Sequence, residues 1–208
     1  MTTTGLRERK KQQTRELISD VATQLFAANG FERTTISEVA AAADVAKMTV
    51  TNYFPLKEDL VFDRHEDIAG LLAAAVRSRP TGRGVLGAVR TTYLEHLDDR
   101  SPILGFIGLP FAQLVQSSPA LLRREHEIFT AQEARLTETL AAEFAADDAD
   151  LRPRVAACQL AGIFRVLYYE GRRRLVSGQP TGGIVKALRT AARESYAGLE
   201  PGLPVDYR

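Results

Sequence analysis

Apolar residues recur three and four positions apart along almost the whole chain, whereas the two-residue alternation of strands is scarce. The first apolar stripe follows Leu17 to Phe26, and glycine, proline and polar pairs separate the later segments. The pattern therefore predicts an all-α fold. The predicted helices cover residues 10–29, 36–43, 46–53, 56–77, 83–98, 102–116, 119–145, 151–176 and 182–198.

Local signals mark the ends of the first helices. Gly30 stands where a left-handed residue ends a helix, and Phe31 supplies the apolar contact that follows. Thr35 and Glu38 have the spacing of a capping box, in which each side chain binds the other residue's backbone amide. Asp44 marks a tight turn. Residues 35–53 thus predict a helix-turn-helix, whose second helix enters the major groove of DNA.

The second of these short helices carries the predicted DNA-reading side chains. Val50 and Phe54 are apolar and four residues apart, so they are expected to face the core. Asparagine and lysine can bind base edges, and threonine or methionine can touch a thymine methyl group. The residues left for the groove and the DNA backbone are Lys47, Met48, Thr49, Thr51, Asn52 and Tyr53.

These residues belong to a longer motif that covers about residues 10–62 and resembles the N-terminal signature of TetR-family repressors. Behind it the chain is similar to that family only in the number, length and order of its helices. The residues that carry the resemblance are Thr14-Arg15, Leu25-Phe26, Gly30-Phe31, Thr35-Ile36, Val39-Ala40, Val45, Asn52-Tyr53-Phe54-Pro55 and Lys57-Glu58-Asp59-Leu60.

The resemblance implies a role for each matching position. Thr35 would bind phosphate from a helix N-terminus, and Tyr53 and Lys57 would bind phosphate beyond the recognition helix. Lys47 and Thr49 would approach base edges. The basic start of the chain can lie along the DNA in this family, and we include Thr14 and Arg15 among the expected DNA contacts.

Three positions depart from the family pattern. Ala46 stands where a serine often caps the recognition helix, and Thr51 stands where a tyrosine is common. The serine cap of the recognition helix is therefore missing, and so is the longer contact that a tyrosine would make at position 51. Asp44 replaces a frequent glycine, but aspartate tolerates the left-handed conformation that the turn requires.

The expected organisation has two domains. A flexible basic arm covers residues 1–9, and a three-helix helix-turn-helix domain covers residues 10–55. A six-helix domain for ligand binding and dimerisation covers residues 56–208, and helix 56–77 links the two.

Helix 151–176 is apolar nearly all round in its middle, which indicates burial on all sides. Either a second subunit covers its outer face or the whole helix lies in one monomeric core. The resemblance implies a homodimer, which would set two recognition helices about 34–36 Å apart over a palindrome. The expected interface residues are Val155, Gln159, Ile163, Val166, Leu188, Ala192 and Ser195.

The apolar segment 103–115 is interrupted by Gly105, Gly108 and Pro110. We expect Pro110 to kink this helix and leave irregular space, and pockets between bundle helices bind apolar ligands. Ordinary core packing is the other interpretation of the same side chains. The expected pocket, for an unidentified small apolar or amphipathic ligand, is lined by Phe62, Tyr93, Phe106, Phe111, Gln113, Phe129, Phe164 and Tyr168.

Composition excludes several classes of protein. The net charge of +1 is no argument for nucleic acid, and the single cysteine, Cys158, excludes an internal disulfide and zinc-finger spacing. The longest apolar run is too short to span a bilayer, so we expect no membrane association and a cytoplasmic location. We find no phosphate loop, nucleophile elbow or metal-ligand cluster, and we expect no enzyme, no cofactor and no metal.

The sequence therefore predicts a sequence-specific DNA-binding transcriptional regulator. We expect a homodimeric repressor that a small molecule releases from a palindromic operator in double-stranded DNA. The alternative is a dimeric DNA-binding regulator without a small-molecule effector, controlled by a protein partner or by its abundance.

Overall fold

The computed structural model describes residues 3–105, 108–204 and 207, and its regular structure there is helical, without a strand. The all-α prediction is confirmed. No helix in this part of the chain is long and apolar enough to cross a membrane. The helices are α1 (Thr3–Asn29), α2 (Ile36–Ala42), α3 (Lys47–Tyr53), α4 (His65–Arg77), α5 (Val85–Asp98), α6 (Leu109–Ser117), α7 (Pro119–Glu143), α8 (Arg152–Val176) and α9 (Thr181–Leu199), with 3-10 turns at Lys57–Leu60, Pro102–Leu104 and Glu200–Gly202.

The chain divides into two compact units. The first unit holds the residues up to His65 together with Gln113–Glu125, and the second holds Glu66–Ala112 and the residues from His126 onward. The first unit therefore contains α1 to α3 and a short segment from the middle of the chain.

The core of the first unit follows the predicted apolar stripes. Ile18, Ala22 and Phe26 recur every four residues on α1, and all three are buried. Val50 and Phe54 are both fully buried, as their spacing predicts. The apolar side of each short helix thus fixes its rotation against α1.

The core of the second unit lies along α8 and α9. On α9 the buried side chains come every fourth residue: Ile184, Leu188, Ala192 and Tyr196. One face of α8 is buried in the same way, but Val155 and Val166 on its other face are more than half exposed. Within a single chain the outer face of α8 is uncovered, so burial of the whole helix in one monomeric core is wrong, and its cover by a second subunit stays a prediction.

The segment between α3 and α4 is not the continuous helix predicted over residues 56–77. After Pro55 it forms the 3-10 turn Lys57–Leu60, and α4 begins only at His65. The Asp59 carboxylate accepts a hydrogen bond of 3.3 Å from the Leu56 backbone amide. Such a side-chain bond to the nearby backbone competes with α-helix formation and accounts for the short turn.

The predicted helix over residues 102–116 is also interrupted. Gly105 and Gly108 have φ angles of +80° and +114°, which favour glycine and end the regular helix. Helix α6 begins at Leu109, so Pro110 lies in its first turn, where a missing amide hydrogen costs nothing. The kink expected at Pro110 is therefore replaced by a break before it.

Helix α1 begins at Thr3, so most of the stretch expected to be a flexible arm is helical. Its arginine, lysine, glutamine and glutamate residues all have favourable helix propensities, which explains the longer helix.

The turn after α1 depends on Gly30, whose φ of +81° is left-handed, as predicted. Its amide donates to the Phe26 carbonyl at 2.9 Å, and the Phe26 and Phe31 rings pack with centroids 5.1 Å apart. A Cβ atom added at Gly30 would meet no other atom within 4 Å, so only the backbone conformation opposes a substitution there.

We predict that Gly30→Ala lowers the free energy of unfolding by about 1 kcal/mol, the cost of a left-handed non-glycine residue. Gly30→Asn should lose less, because asparagine accepts this conformation more readily. Urea unfolding with an unchanged slope measures both variants. An alanine variant as stable as the original chain would show that the turn does not require a left-handed residue.

Candidate nucleic-acid interface

Helix α2 begins with the predicted capping box, which the structure confirms. The Glu38 amide donates to the Thr35 hydroxyl at 3.2 Å, and the Thr35 amide donates to the Glu38 carboxylate at 2.6 Å. The bond from the Thr35 amide lowers the pKa of Glu38, which is therefore ionised at neutral pH. Asp44, in the turn that follows α2, adopts a φ of +52° and so accommodates the left-handed position.

Helix α3 presents a mixed polar and methyl-bearing face. Lys47, Met48 and Asn52 are exposed, and the Met48 side chain is the most open large apolar residue of the described chain at 72 %. Thr49 and Thr51 are half-buried. The Thr51 hydroxyl donates to the Met48 carbonyl at 3.1 Å, within its own helix. Met48 and Asn52 thus lie on the side of α3 opposite buried Val50, whereas Lys47, Thr49, Thr51 and Tyr53 lie on its flanks.

Arg15 fastens the C-terminal end of α3 to α1. Its guanidinium donates to the Tyr53 carbonyl at 3.0 Å and to the Asp63 carbonyl at 2.6 Å, and it lies 4.4 Å from the centre of the Phe54 ring. The Thr14 hydroxyl donates to the Lys10 carbonyl within α1. Arg15 therefore has an intramolecular role that the sequence did not predict, and its contact with DNA stays a prediction.

Lys57 has a similar internal role. Its ammonium group donates to the Phe31 carbonyl at 2.5 Å and lies 4.1 Å from the centre of the Phe31 ring. The bond joins the 3-10 turn after α3 to the turn after α1. Lys57 is half-buried, and its predicted phosphate contact requires that the ammonium group also remain accessible from outside.

An open cleft of about 610 Å³ lies between the start of α1 and the end of α3. Three of its side chains are cationic and one is acidic, and cationic clefts attract phosphate. The cleft brings part of the basic N-terminal stretch next to the end of α3, and its contact with DNA stays a prediction. It is lined by Glu8, Arg9, Lys11, Gln12, Arg15, Asn52 and Tyr53.

Two polar contacts attach residues 113–125 to the rest of the first unit. The Ser118 hydroxyl donates to the Glu32 carboxylate at 2.6 Å, and the Arg124 guanidinium donates to the Asp59 carboxylate at 2.9 Å. Asp59 is 2 % exposed, so its carboxylate is shielded from water, whereas the Arg124 side chain is 19 % exposed. Sequence reasoning missed both contacts, because their partners are far apart in the chain.

The residues predicted for a ligand pocket are divided between the two units. Tyr93, Phe129, Phe164 and Tyr168 are buried in the second unit, and Phe111 is half-buried there. Phe62 is buried and Gln113 is exposed in the first unit, and Phe106 lies outside the described residues. Four of the eight predicted residues thus share one buried aromatic region.

The predicted dimer interface needs one correction. Leu188 and Ala192 are buried inside the second unit, and Leu188 approaches Gly171 of α8 closely enough that an added Cβ atom would lie 3.2 Å from it. They face the chain's own core and leave no surface for a partner. The accessible members of the predicted interface are Val155, Gln159, Ile163, Val166 and Ser195.

Ala46 occupies the N-cap position of α3 in extended conformation, without a side-chain hydrogen bond. A serine hydroxyl there would satisfy one of the free amides of the first turn. We predict that Ala46→Ser raises the free energy of unfolding by about 0.5–1 kcal/mol.

Thermal unfolding of Ala46→Ser would measure this gain, and Ala41→Ser, at an exposed position inside α2, is the matched control. The control should be slightly less stable than the original chain, since serine is the poorer helix former. A loss of stability in both variants would contradict the capping argument.

Comparisons with known proteins agree with this geometry. The family model described as bacterial regulatory proteins of the tetR family matches residues 18–63. The HTH-type transcriptional regulator TcmR of Streptomyces glaucescens is 31 % identical over 98 % of this chain and 90 % of its own length.

Solved structures share the fold at lower identity. The SmeT–triclosan complex is 18 % identical with a TM-score of 0.56, covering 89 % of this chain and 91 % of that one. A TetR-family regulator from Streptomyces coelicolor is 22 % identical with a TM-score of 0.52, covering 89 % and 96 %. With the helix-turn-helix and the near full-length relative, these matches place the chain in the TetR family of bacterial regulatory proteins, as a transcriptional regulator with an N-terminal DNA-binding domain.

Proposed function

We propose that the protein is a homodimeric repressor that binds a palindromic operator and that a small molecule releases from it. The observation that carries this proposal is the exposed polar face of α3. The buried side chains of Val50 and Phe54 fix its orientation. It acts on double-stranded DNA in the cytoplasm, as a regulator and not an enzyme.

Each residue of the interface has a distinct proposed task. Lys47 and Asn52 reach base edges from the exposed side of α3, and Met48 contacts a thymine methyl group. Thr35 places the N-terminus of α2 on a phosphate, where helix amides favour an anion. The cationic cleft between α1 and α3 follows the DNA backbone and contributes affinity without sequence preference.

A second copy of the chain is the proposed partner of the exposed α8 face. Val155 and Val166 are 52 % and 64 % exposed and lie three turns apart on one face of α8, with half-buried Ile163 between them. A continuous apolar face of this kind marks an association surface. Gly162 lies between the two valines, and a Cβ atom added there would meet nothing within 4 Å, so a second helix can approach closely. Two copies related by a two-fold axis fit a palindromic site.

The proposed release by a ligand is supported by relatives of the same fold. SmeT was solved with triclosan, and FadR of Bacillus subtilis, with a TM-score of 0.50, was solved with stearoyl-CoA. A ligand acts only if it binds the two arrangements of the dimer unequally. Helix α4 begins at the last residue of the first unit and continues into the second, so we propose it as the link.

Selection of duplexes from a random DNA pool tests whether α3 recognises specific bases. The original chain should enrich a palindrome, and Lys47→Ala should lose discrimination at one base pair of each half-site, by about 1–3 kcal/mol. Lys11→Ala, in the cleft, is the matched control: it should weaken all sequences alike and reduce the salt slope by about one. If Lys47→Ala and the original chain enrich the same bases at every position, Lys47 does not contact a base.

Sedimentation of the Val166→Glu variant tests whether the exposed face of α8 forms the dimer interface. Two carboxylates brought together at the two-fold interface should weaken the dimer by a factor on the order of a hundred. The isolated chain should stay folded, because this side chain is mostly exposed. Ala134→Glu, exposed on α7, is the control that should remain a dimer. A Val166→Glu protein that dimerises like the original chain would show that this face of α8 is not the dimer interface.

A further inference from the structure

The start of α7 lies in the same compact unit as the recognition helix. This unit includes residues 113–125, although the family model matches only residues 18–63. Val115 and Leu121, in the added segment, are fully buried. The DNA-binding unit is therefore completed by a segment that lies far from the helix-turn-helix motif in the sequence.

One contact joins α7 to the 3-10 turn Lys57–Leu60 that follows the recognition helix. The Nε and Nη2 atoms of Arg124 lie 2.9 Å and 2.8 Å from Oδ1 of Asp59, and Oδ2 of Asp59 accepts the Leu56 amide at 3.3 Å. A buried carboxylate is costly unless a charged partner and hydrogen bonds satisfy its oxygens. Arg124 therefore fixes Asp59 and, with it, the turn that carries Lys57.

A second contact joins the start of α7 to the turn after α1. The buried Ser118 hydroxyl donates to the Glu32 carboxylate at 2.6 Å and accepts the Leu121 amide at 3.3 Å, as a helix cap does. Glu32 follows Phe31 directly in the chain. The bond from Ser118 therefore holds the backbone that presents the Phe31 carbonyl group.

These two contacts lie on either side of the internal bond of Lys57. The Lys57 ammonium group donates to the Phe31 carbonyl at 2.5 Å and lies 4.1 Å from the centre of the Phe31 ring. Asp59 is two residues after Lys57, and Glu32 is one residue after Phe31. A lysine side chain is a flexible stem, so the place of its ammonium group depends on what holds both ends of this bond.

We propose that Arg124 and Ser118 are positioning residues for DNA binding and that they act through Lys57. They hold the Lys57 ammonium group where it meets a phosphate of the DNA backbone, and they do not touch the DNA themselves. This inference rests on the proposed function, and in particular on the phosphate contact predicted for Lys57.

Salt dependence separates this role from simple stabilisation. Each phosphate contact releases counterions and adds to the slope of affinity against salt concentration. The Arg124–Asp59 pair has no net charge, so a variant that removes both charges leaves the charge of the unit unchanged. Such a variant alters the slope only if a different cation, Lys57, loses its phosphate.

The test measures binding of the full-length protein to a selected and an unrelated duplex over a range of salt concentrations. Melting curves first establish that each variant is folded at the assay temperature. Lys57→Ala should weaken binding to both duplexes by the same factor and reduce the slope by about one for each protomer. Asp59→Asn combined with Arg124→Gln should reproduce both effects. Ser118→Ala should do so to a smaller extent, because it releases only the Phe31 side of the bond.

Combined variants show whether the effects share one contact. Adding Lys57→Ala to the ion-pair variant should cause no further loss of affinity or slope, since both changes remove the same phosphate contact. Arg123→Gln combined with Glu127→Gln is the matched control, because it removes two opposite charges from exposed positions of α7. This control should keep the original affinity and slope. Should the ion-pair variant fail to fold, Ser118→Ala with and without Lys57→Ala makes the same comparison.

Three results would overturn the inference. An unchanged slope in the ion-pair and Ser118→Ala variants would give these residues a purely structural role. A further fall of about one for each protomer in the combined variant would show a contact independent of Lys57. An unchanged slope in Lys57→Ala would remove the phosphate contact itself. In all three cases the chain still selects a palindrome, whereas a chain that selects no duplex refutes the proposed function.

Discussion

A seven-residue helix has too few internal hydrogen bonds to persist alone in water, and α3 is such a helix. Its position depends on the burial of Val50 and Phe54 and on Arg15, which binds the last carbonyl of α3 and covers the Phe54 ring. The orientation of the exposed face is therefore a property of the whole first unit. A DNA-reading surface on so short an element requires this rigid support.

Burial of apolar side chains also positions the longer helices of the second unit. The buried stripe on α9 and one face of α8 fix these helices against each other, and the remaining face of α8 keeps apolar side chains in solvent. These exposed apolar side chains are the basis of the proposed association with a second copy of the chain.

Local signals in the sequence predicted the parts of the site that depend on neighbouring residues. The left-handed Gly30, the Thr35–Glu38 capping box and the buried pair Val50 and Phe54 all follow from spacing and turn chemistry. The contacts of Arg124 with Asp59 and of Ser118 with Glu32 were not predictable, because they join positions 65 and 86 residues apart.

The prediction of the dimer interface was partly wrong for a second reason. Leu188 and Ala192 form a regular apolar stripe, but periodicity does not distinguish burial in the chain's own core from burial against a partner. The sequence does not predict the burial of Tyr196, because its neighbour Ser195 is assigned to the interface. One residue along a helix turns the side chain by about 100°, so such an offset changes the face it occupies.

In the proposed complex, two copies of α3 occupy successive major grooves on one side of the same duplex. Hydroxyl-radical footprinting of the protein on a duplex that it selects measures this arrangement directly. We expect two protected patches that are related by two-fold symmetry, with centres about 10 base pairs apart. A single protected patch, or uniform protection that does not depend on the sequence, would contradict it.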